Sequence, residues 1–193
     1  MLYQLSYSRA STSGACAAAW SVSSWGVRTD ELEVRDATPD DADGIARVYV
    51  ETWRAAYAEI LPAGYLARLN VEQQTKAWRR QIRTDDHVLV AVRDDDVIGF
   101  CSGGKEREQD PFFRSEIFTL YVAPAEQRAQ AGTLLLIEML RRLEARAPVI
   151  VWVLEENVGA CRFYEALGAV PVRRRPETVG GKVVEKIGYA YFD

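Results

Sequence analysis

Between residues 116 and 154 the chain carries an apolar run, a proline stop, a helical stripe and a second apolar run. Residues 116–122 and 149–154 are short and rich in β-branched and aromatic side chains, so each reads as a strand. Pro124 ends the first strand. Leu136, Met139, Leu140 and Leu143 then recur at i, i+3, i+4 and i+7, the apolar face of an amphipathic helix that begins near Gly132. Strand, helix and strand in this order form a crossover unit whose two strands should be parallel neighbours. Such a unit commits the chain to a layered domain, with helices covering a sheet.

The flanking segments extend that sheet. Residues 32–35 read as a short strand, and Thr38 and Pro39 as the cap and first position of a helix whose apolar face holds Ile45, Val48, Tyr49, Trp53 and Ala56. Pro62 opens a second short helix around residues 65–69, and a third covers residues 71–83 with Trp78 and Ile82 on one face. Residues 87–92 and 97–103, separated by three aspartates, read as an antiparallel hairpin. A polar loop, residues 105–114, leads into the crossover unit. A helix over residues 158–167 and two more strands complete the chain, the last strand following Gly180-Gly181 and placed to pair across a dimer. Residues 1–31 differ in texture: Ser/Ala-rich and without a sustained period, they read as a disordered extension on a single domain over residues 32–193.

Composition removes whole classes of chemistry. One histidine, His87, excludes multi-histidine metal sites, and its position at the head of a buried strand disfavours a hydrolase triad. Three scattered cysteines fit reduced thiols in a cytoplasm better than a disulfide framework. No apolar run approaches the roughly 18 residues that cross a bilayer. A net charge of −4 argues against a broad basic surface for nucleic acid or anionic membrane.

The turn of the crossover unit, Gln127, Arg128, Ala129, Gln130, Ala131, Gly132 and Thr133, places unpaired backbone N–H groups at a helix N-terminus, where the macrodipole favours anions such as a pyrophosphate. Beyond the second strand stand Asn157, Ala160, Phe163, Tyr164 and Gly168, in the pattern Asn-x-x-Ala-x-x-Phe-Tyr-x-x-x-Gly. That pattern, with Leu120-Tyr121-Val122-x-Pro124 upstream, resembles the GNAT superfamily of N-acetyltransferases over essentially everything but the first 31 residues. The resemblance implies a mixed, mostly antiparallel α/β (α+β) sheet of six to seven strands with helices on both faces. It implies acetyl-CoA as co-substrate and no metal. The turn from Gln127 to Thr133 would hold the pyrophosphate. Leu120, Tyr121 and Val122 would splay from the neighbouring strand and pair with pantetheine, Asn157 would bond the pantetheine arm, and Tyr164 would protonate the departing thiolate. Asn157 is equally suited to cap its helix, and Tyr164 to fill a core.

The family's central glycine falls at Gln130, where a Cβ would crowd the phosphates or resist a positive φ. The alternative to an active enzyme is therefore a coenzyme A binding or interaction module with a decayed phosphate loop. On the acceptor side, strand alternation sets Glu116 with Phe118 and Leu120, and related acetyltransferases often carry an acid there, so Glu116 is the candidate base, or else a solvated strand-end acid. Trp53, Tyr57, Phe112 and Phe113 are candidates to line the acceptor pocket, with core packing the competing fate for the first two. Arg173-Arg174-Arg175 reads as a solvated strand-end cluster. The acceptor would be a small-molecule amine or a peptide N-terminus, and the protein a monomer or homodimer.

Overall fold

The computed structural model describes residues 32–84, 87–127, 130–143 and 148–192, so the extension expected over residues 1–31 lies outside the described residues. β1 (Glu33–Asp36) leads through a single 3-10 turn (Pro39–Asp41) into α1 (Ala42–Ala56). The anchor of this start is Asp41. Its Oδ2 accepts from the Thr38 backbone N–H at 2.7 Å and hydroxyl at 2.9 Å, while Arg35 donates to both carboxylate oxygens at 2.8 and 2.9 Å. The guanidinium holds the Asp41 carboxyl below the usual aspartate range.

α2 (Ala63–Ala67) begins two residues before its expected start, because the Pro62 carbonyl already accepts from the Tyr65 and Leu66 N–H groups at 2.9 and 3.2 Å. Asn70 then caps α3 (Val71–Gln81), accepting from Gln73 N–H at 3.0 Å. β2 (His87–Arg93) and β3 (Asp96–Lys105) form the expected hairpin, with Asp94 and Asp95 at φ of 50° and 66° in its turn. There follow β4 (Ser115–Val122), α4 (Ala131–Leu143), β5 (Val149–Leu154), α5 (Val158–Ala166), β6 (Val170–Val179) and β7 (Lys182–Tyr191).

Seven strands among the described residues form one mixed sheet in the order β1-β2-β3-β4-β5-β7-β6. β4 and β5, the strands of the crossover unit, are parallel and every other pair is antiparallel. The last strand does not sit where it could pair across a dimer: β7 is bonded to β5 on one side and β6 on the other. The sheet's two edges are β1 and β6, the latter carrying Pro171 and Pro176. No helix among the described residues is long and apolar enough to cross a membrane.

The two faces have separate cores. Leu135, Leu136, Met139 and Leu143 of α4 pack on Leu89, Cys101, Ile117 and Val151. Ile45 and Val48 of α1 and Trp78 of α3 pack on Val90 and Phe100 across the sheet. α4 lies close to β3 at Gly103, where a Cβ would stand 2.9 Å from Met139 Sδ and 3.1 Å from the Glu116 carbonyl oxygen.

One irregularity overturns the expected facing of β4. Ser102 pairs with Thr119, but the next residue, Gly103, pairs with Ile117, so Phe118 is an extra residue in a β-bulge. Simple alternation fails across it. Ile117 and Leu120 pack with the α4 core, while Thr119, hydrogen-bonded to Ser102 Oγ at 2.6 Å, and Tyr121 belong to the α1 face. Glu116, one residue from Ile117, therefore shares the α1 face with Thr119 and Tyr121, not the face of Leu120 as expected.

Two outcomes follow from this packing. Gly103→Ala should cost about 1–3 kcal/mol by overpacking, lowering the melting temperature by about 2–4 °C per kcal/mol; an unshifted thermal transition would show that the contact yields freely. A carboxyl lowered on folding stabilises the folded state above its unfolded pKa, and that stability is lost as pH falls through the folded value. The stability gap between the native chain and Asp41→Asn should thus be full at neutral pH and close below about pH 4, measured by urea unfolding at both pH values.

Candidate active site

Parallel pairing between β4 and β5 covers only Ser115↔Val149, Glu116↔Ile150 and Ile117↔Val151. The bulge at Phe118 then turns β4 away, and from there β4 stays bonded to β3 while β5 stays bonded to β7. The strands part like a V, and the β4 backbone beyond Phe118 has no strand beside it on that side. A cleft of about 740 Å³ occupies the gap, walled by Phe118 to Val122 on one side and Val151 to Val153 on the other. Because the gap pierces the sheet, Tyr57 of α1 and Tyr164 of α5 line the same space from opposite faces.

At one end of the cleft is the start of α4. Leu134 N–H reaches back to the Gln130 carbonyl at 3.0 Å, so the N–H groups of the three residues before it have no partner within the helix. Gln130, Gly132 and Thr133 line the cleft there. Gln130 adopts φ +66°, the left-handed conformation that a glycine would take without strain. A Cβ on Gly132 would meet Phe163 and Val122 only at 3.6 Å, ordinary contact, so the protein's own packing does not require glycine there. Gln127 lines the cleft with its side chain folded back, its amide donating to the Val122 carbonyl at 3.3 Å. Arg128 and Ala129 lie outside the described residues.

Asn157 and Tyr164 also line the cleft. Asn157 Oδ1 accepts from Ala160 N–H at 3.2 Å, capping α5, and the Tyr57 hydroxyl lies beside the same side chain. Tyr164 is buried, edge-on to Phe163 and stacked on Tyr189 at 6.2 Å. Burial pushes its hydroxyl well above the ordinary tyrosine range, so it is held protonated. Just past the Leu167 cap of α5, Gly168 takes φ +90° while Ala169 N–H bonds the Tyr164 carbonyl at 3.0 Å. The glycine of the motif is thus a helix stop that fixes the rim bearing Tyr164.

The acceptor-side candidates divide. Tyr57 lines the cleft; Trp53 stands behind it in an aromatic cluster with Tyr49 and Tyr65 and is not on the cleft wall. Tyr121 turns its ring into that cluster, leaving its backbone to the cleft. Glu116 is not a solvated acid: it is 5% exposed, and Arg107 donates to both of its oxygens at 3.1 and 2.6 Å. Phe113 is buried against Ile150 and Ala190, Phe112 is exposed, and neither lines the large cleft. Phe113 instead walls a small pocket of about 140 Å³ with Trp152, which lines both spaces. Arg107 and Trp152 carry no local sign of a role in the sequence, and Arg175 reads there only as part of a solvated cluster, yet Arg107 and Arg175 both stack on aromatic rings. The guanidiniums lie over Phe118 and Trp152 at 4.0 and 3.9 Å, and no local pattern announces such contacts between segments far apart in the chain.

Residues 46–169 match the Acetyltransferase (GNAT) family. The chain belongs to this family. Across 165 residues it is 31% identical to an uncharacterised N-acetyltransferase of Bacillus subtilis, YuaI, covering 84% of this chain and 94% of that one. Among solved structures, yncA of Salmonella typhimurium, a putative acetyltransferase with its cofactor acetyl-CoA, superposes with a TM-score of 0.64 at 19% identity, over 84% of this chain and 94% of that one. The paia N-acetyltransferase of Thermoplasma acidophilum, in complex with coenzyme A, gives 0.60 at 21% identity over 80% and 97%. Both share the GNAT fold with this chain.

In this GNAT domain the glutamine at position 130 carries a left-handed backbone that costs an L-residue about 1–2 kcal/mol. Gln130→Gly should therefore raise the melting temperature by about 2–8 °C, read by thermal unfolding without ligand. A lowered transition would show that the Gln130 side chain contributes more than its backbone costs.

Proposed function

We propose that this protein is an N-acetyltransferase that moves the acetyl group of acetyl-CoA to a primary amine by direct attack. The observation that carries this reading is the parted β4–β5 cleft, lined by the start of α4 and by the protonated Tyr164. The pyrophosphate of the cofactor lies against the first N–H groups of α4, where charge and hydrogen-bonding direction both favour an anion. Gln127, Gln130, Ala131, Gly132 and Thr133 bind it, joined in this role by Arg128 and Ala129 of the same segment. Pantetheine extends along the open side of β4 and bonds to the backbone of Leu120, Tyr121 and Val122, as an added strand would. Asn157 offers its amide N–H to the pantetheine arm while its oxygen caps α5.

The thioester then sits where the strands part, reachable by an amine from the α1 face. The amine nitrogen bonds to the carbonyl carbon, the C–S bond breaks, and Tyr164 gives its proton to the leaving thiolate. The amine proton leaves through Glu116 or a water held beside it, on the face where the bulge sets that carboxylate. Tyr57 lines the acceptor side. The acceptor is a small-molecule amine or a peptide N-terminus, and the cytoplasm, where acetyl-CoA is made and thiols stay reduced, is the compartment this chemistry fits.

A second reading is favoured by one observation, the strained Gln130 in the phosphate turn: a GNAT domain that binds coenzyme A without turnover. Calorimetry with acetyl-CoA, followed by thiol release over an amine panel, separates the two. Tyr164→Phe should lower kcat by about 10²-fold, the scale of general acid catalysis, with acetyl-CoA affinity within threefold. Undiminished turnover would remove Tyr164 from the mechanism, and binding without thiol release for any amine would favour the second reading.

A further inference from the structure

The acceptor face of the window between β4 and β5 is framed by two aromatic side chains, Phe118 and Trp152, each covered by a guanidinium. Arg107 lies over Phe118 and is tied to buried Glu116. Arg175 of β6 lies over Trp152 at 3.9 Å, and its partner is Glu108, a residue of the polar loop. Around the Glu108 carboxylate three cations converge: Arg175 in direct contact, with Lys186 and Arg107 close enough to lower its proton affinity. Of these, Lys186 has Glu177 and Arg107 has Glu116. The other charges of the small pocket are engaged locally. Arg173 pairs with Asp110, Arg174 with Glu155, and Glu106 accepts the backbone N–H groups of Glu108 and Asp110 at 2.8 Å each.

We propose that the acceptor is an amine that also bears a carboxylate, bound by Arg175 over Trp152 in the place that Glu108 of the loop occupies in the free protein. The inference rests on the transferase reading above and names its substrate class. Withdrawing Glu108 leaves Arg175 without its direct carboxylate partner beside the window, with Glu177 and Glu116 the carboxylates that still act on it from farther away. The Glu108 side chain is 55% exposed, and ion pairs at that exposure are weak, so exchange for an incoming carboxylate costs little. Arg175 is the guanidinium suited to receive it. Its planar fork matches a carboxylate, and its stacking on Trp152 holds that fork in one orientation. A carboxylate fixed there leaves the amine of a short acceptor at the window, because Trp152 lines both the small pocket and the cofactor cleft. Free amino acids and short peptides have this chemistry, whereas simple diamines and polyamines lack it.

The test is acetyl-CoA-dependent thiol release over L-amino acids, their carboxamides and the corresponding decarboxylated amines, corrected for the fraction of free amine. Calorimetry with acetyl-CoA and a melting curve accompany each variant. The carboxylate members should be used with at least tenfold higher kcat/KM. Arg175→Gln should raise their KM tenfold or more with acetyl-CoA affinity within twofold, and Glu108→Gln should lower their KM several-fold by removing the competing carboxylate. Equal use of the three acceptor series, or a preference that survives Arg175→Gln, overturns the inference while leaving the transferase reading intact. Absence of acetyl-CoA binding overturns both.

Discussion

The parting of β4 from β5 is the constraint on which the rest of this molecule depends. A parallel pair normally continues until one strand ends, since each abandoned residue leaves backbone groups without partners. Here the pair holds for three registers and stops at the bulge of Phe118, though both strands continue beyond it. The unsatisfied side of β4 is tolerated because it faces a cleft that water or a ligand can fill. The surrounding elements keep the gap from closing: α4 is clamped to β3 at Gly103, and Thr52 of α1 donates to the Val122 carbonyl at 3.3 Å. The first turn of α4 and the tyrosines of two opposite faces then share one space because the sheet is perforated there.

Three phenols in and beside that space are kept neutral by burial. The hydroxyls of Tyr57, Tyr121 and Tyr164 are all pushed up from their ordinary range by loss of solvent, most strongly for Tyr121 and Tyr164. Neutral hydroxyls can donate a proton or a hydrogen bond over the whole physiological range without changing charge. Charge is concentrated beside the window, where arginine–carboxylate pairs surround the small pocket and Glu116. The division suits a reaction in which a neutral thioester meets an amine that must shed a proton.

Much of this was legible in the chain. The crossover unit announced itself through periodicity, and the elements around it fell within a few residues of their expected bounds, because local propensity and the fold agree there. The helix stop at Gly168 and the capping residue Asn157 stood in the motif itself. The facing of Glu116 did not, because a bulge is one residue of misregister between β3 and β4, invisible to an alternation count along either strand alone. Arg107 and Trp152 escaped for a related reason: each looks ordinary in its own segment, and the stacking of Arg107 on Phe118 and of Arg175 on Trp152 arises only when the loop, β4, β5 and β6 meet. Arg173 and Arg175, which read as a solvated cluster, are engaged with loop carboxylates and lie close to aromatic rings.

The outer strand has a consequence for behaviour in concentrated solution. A sheet with an open edge offers hydrogen-bonding groups to any extended chain that drifts alongside, the route by which native proteins seed fibrils. One border here is β1, four residues long, and the other is β6, ten residues long and the greater hazard. Pro171 and Pro176 deprive β6 of two amide donors, and Arg173, Arg174 and Arg175 between them set like charges against a second copy of the same strand. The stretch that holds Arg175 beside the window is thus also a gatekeeper against stacking, which limits how freely it can be rewritten: replacing either proline or the arginines would expose a longer, uncharged edge to a second chain.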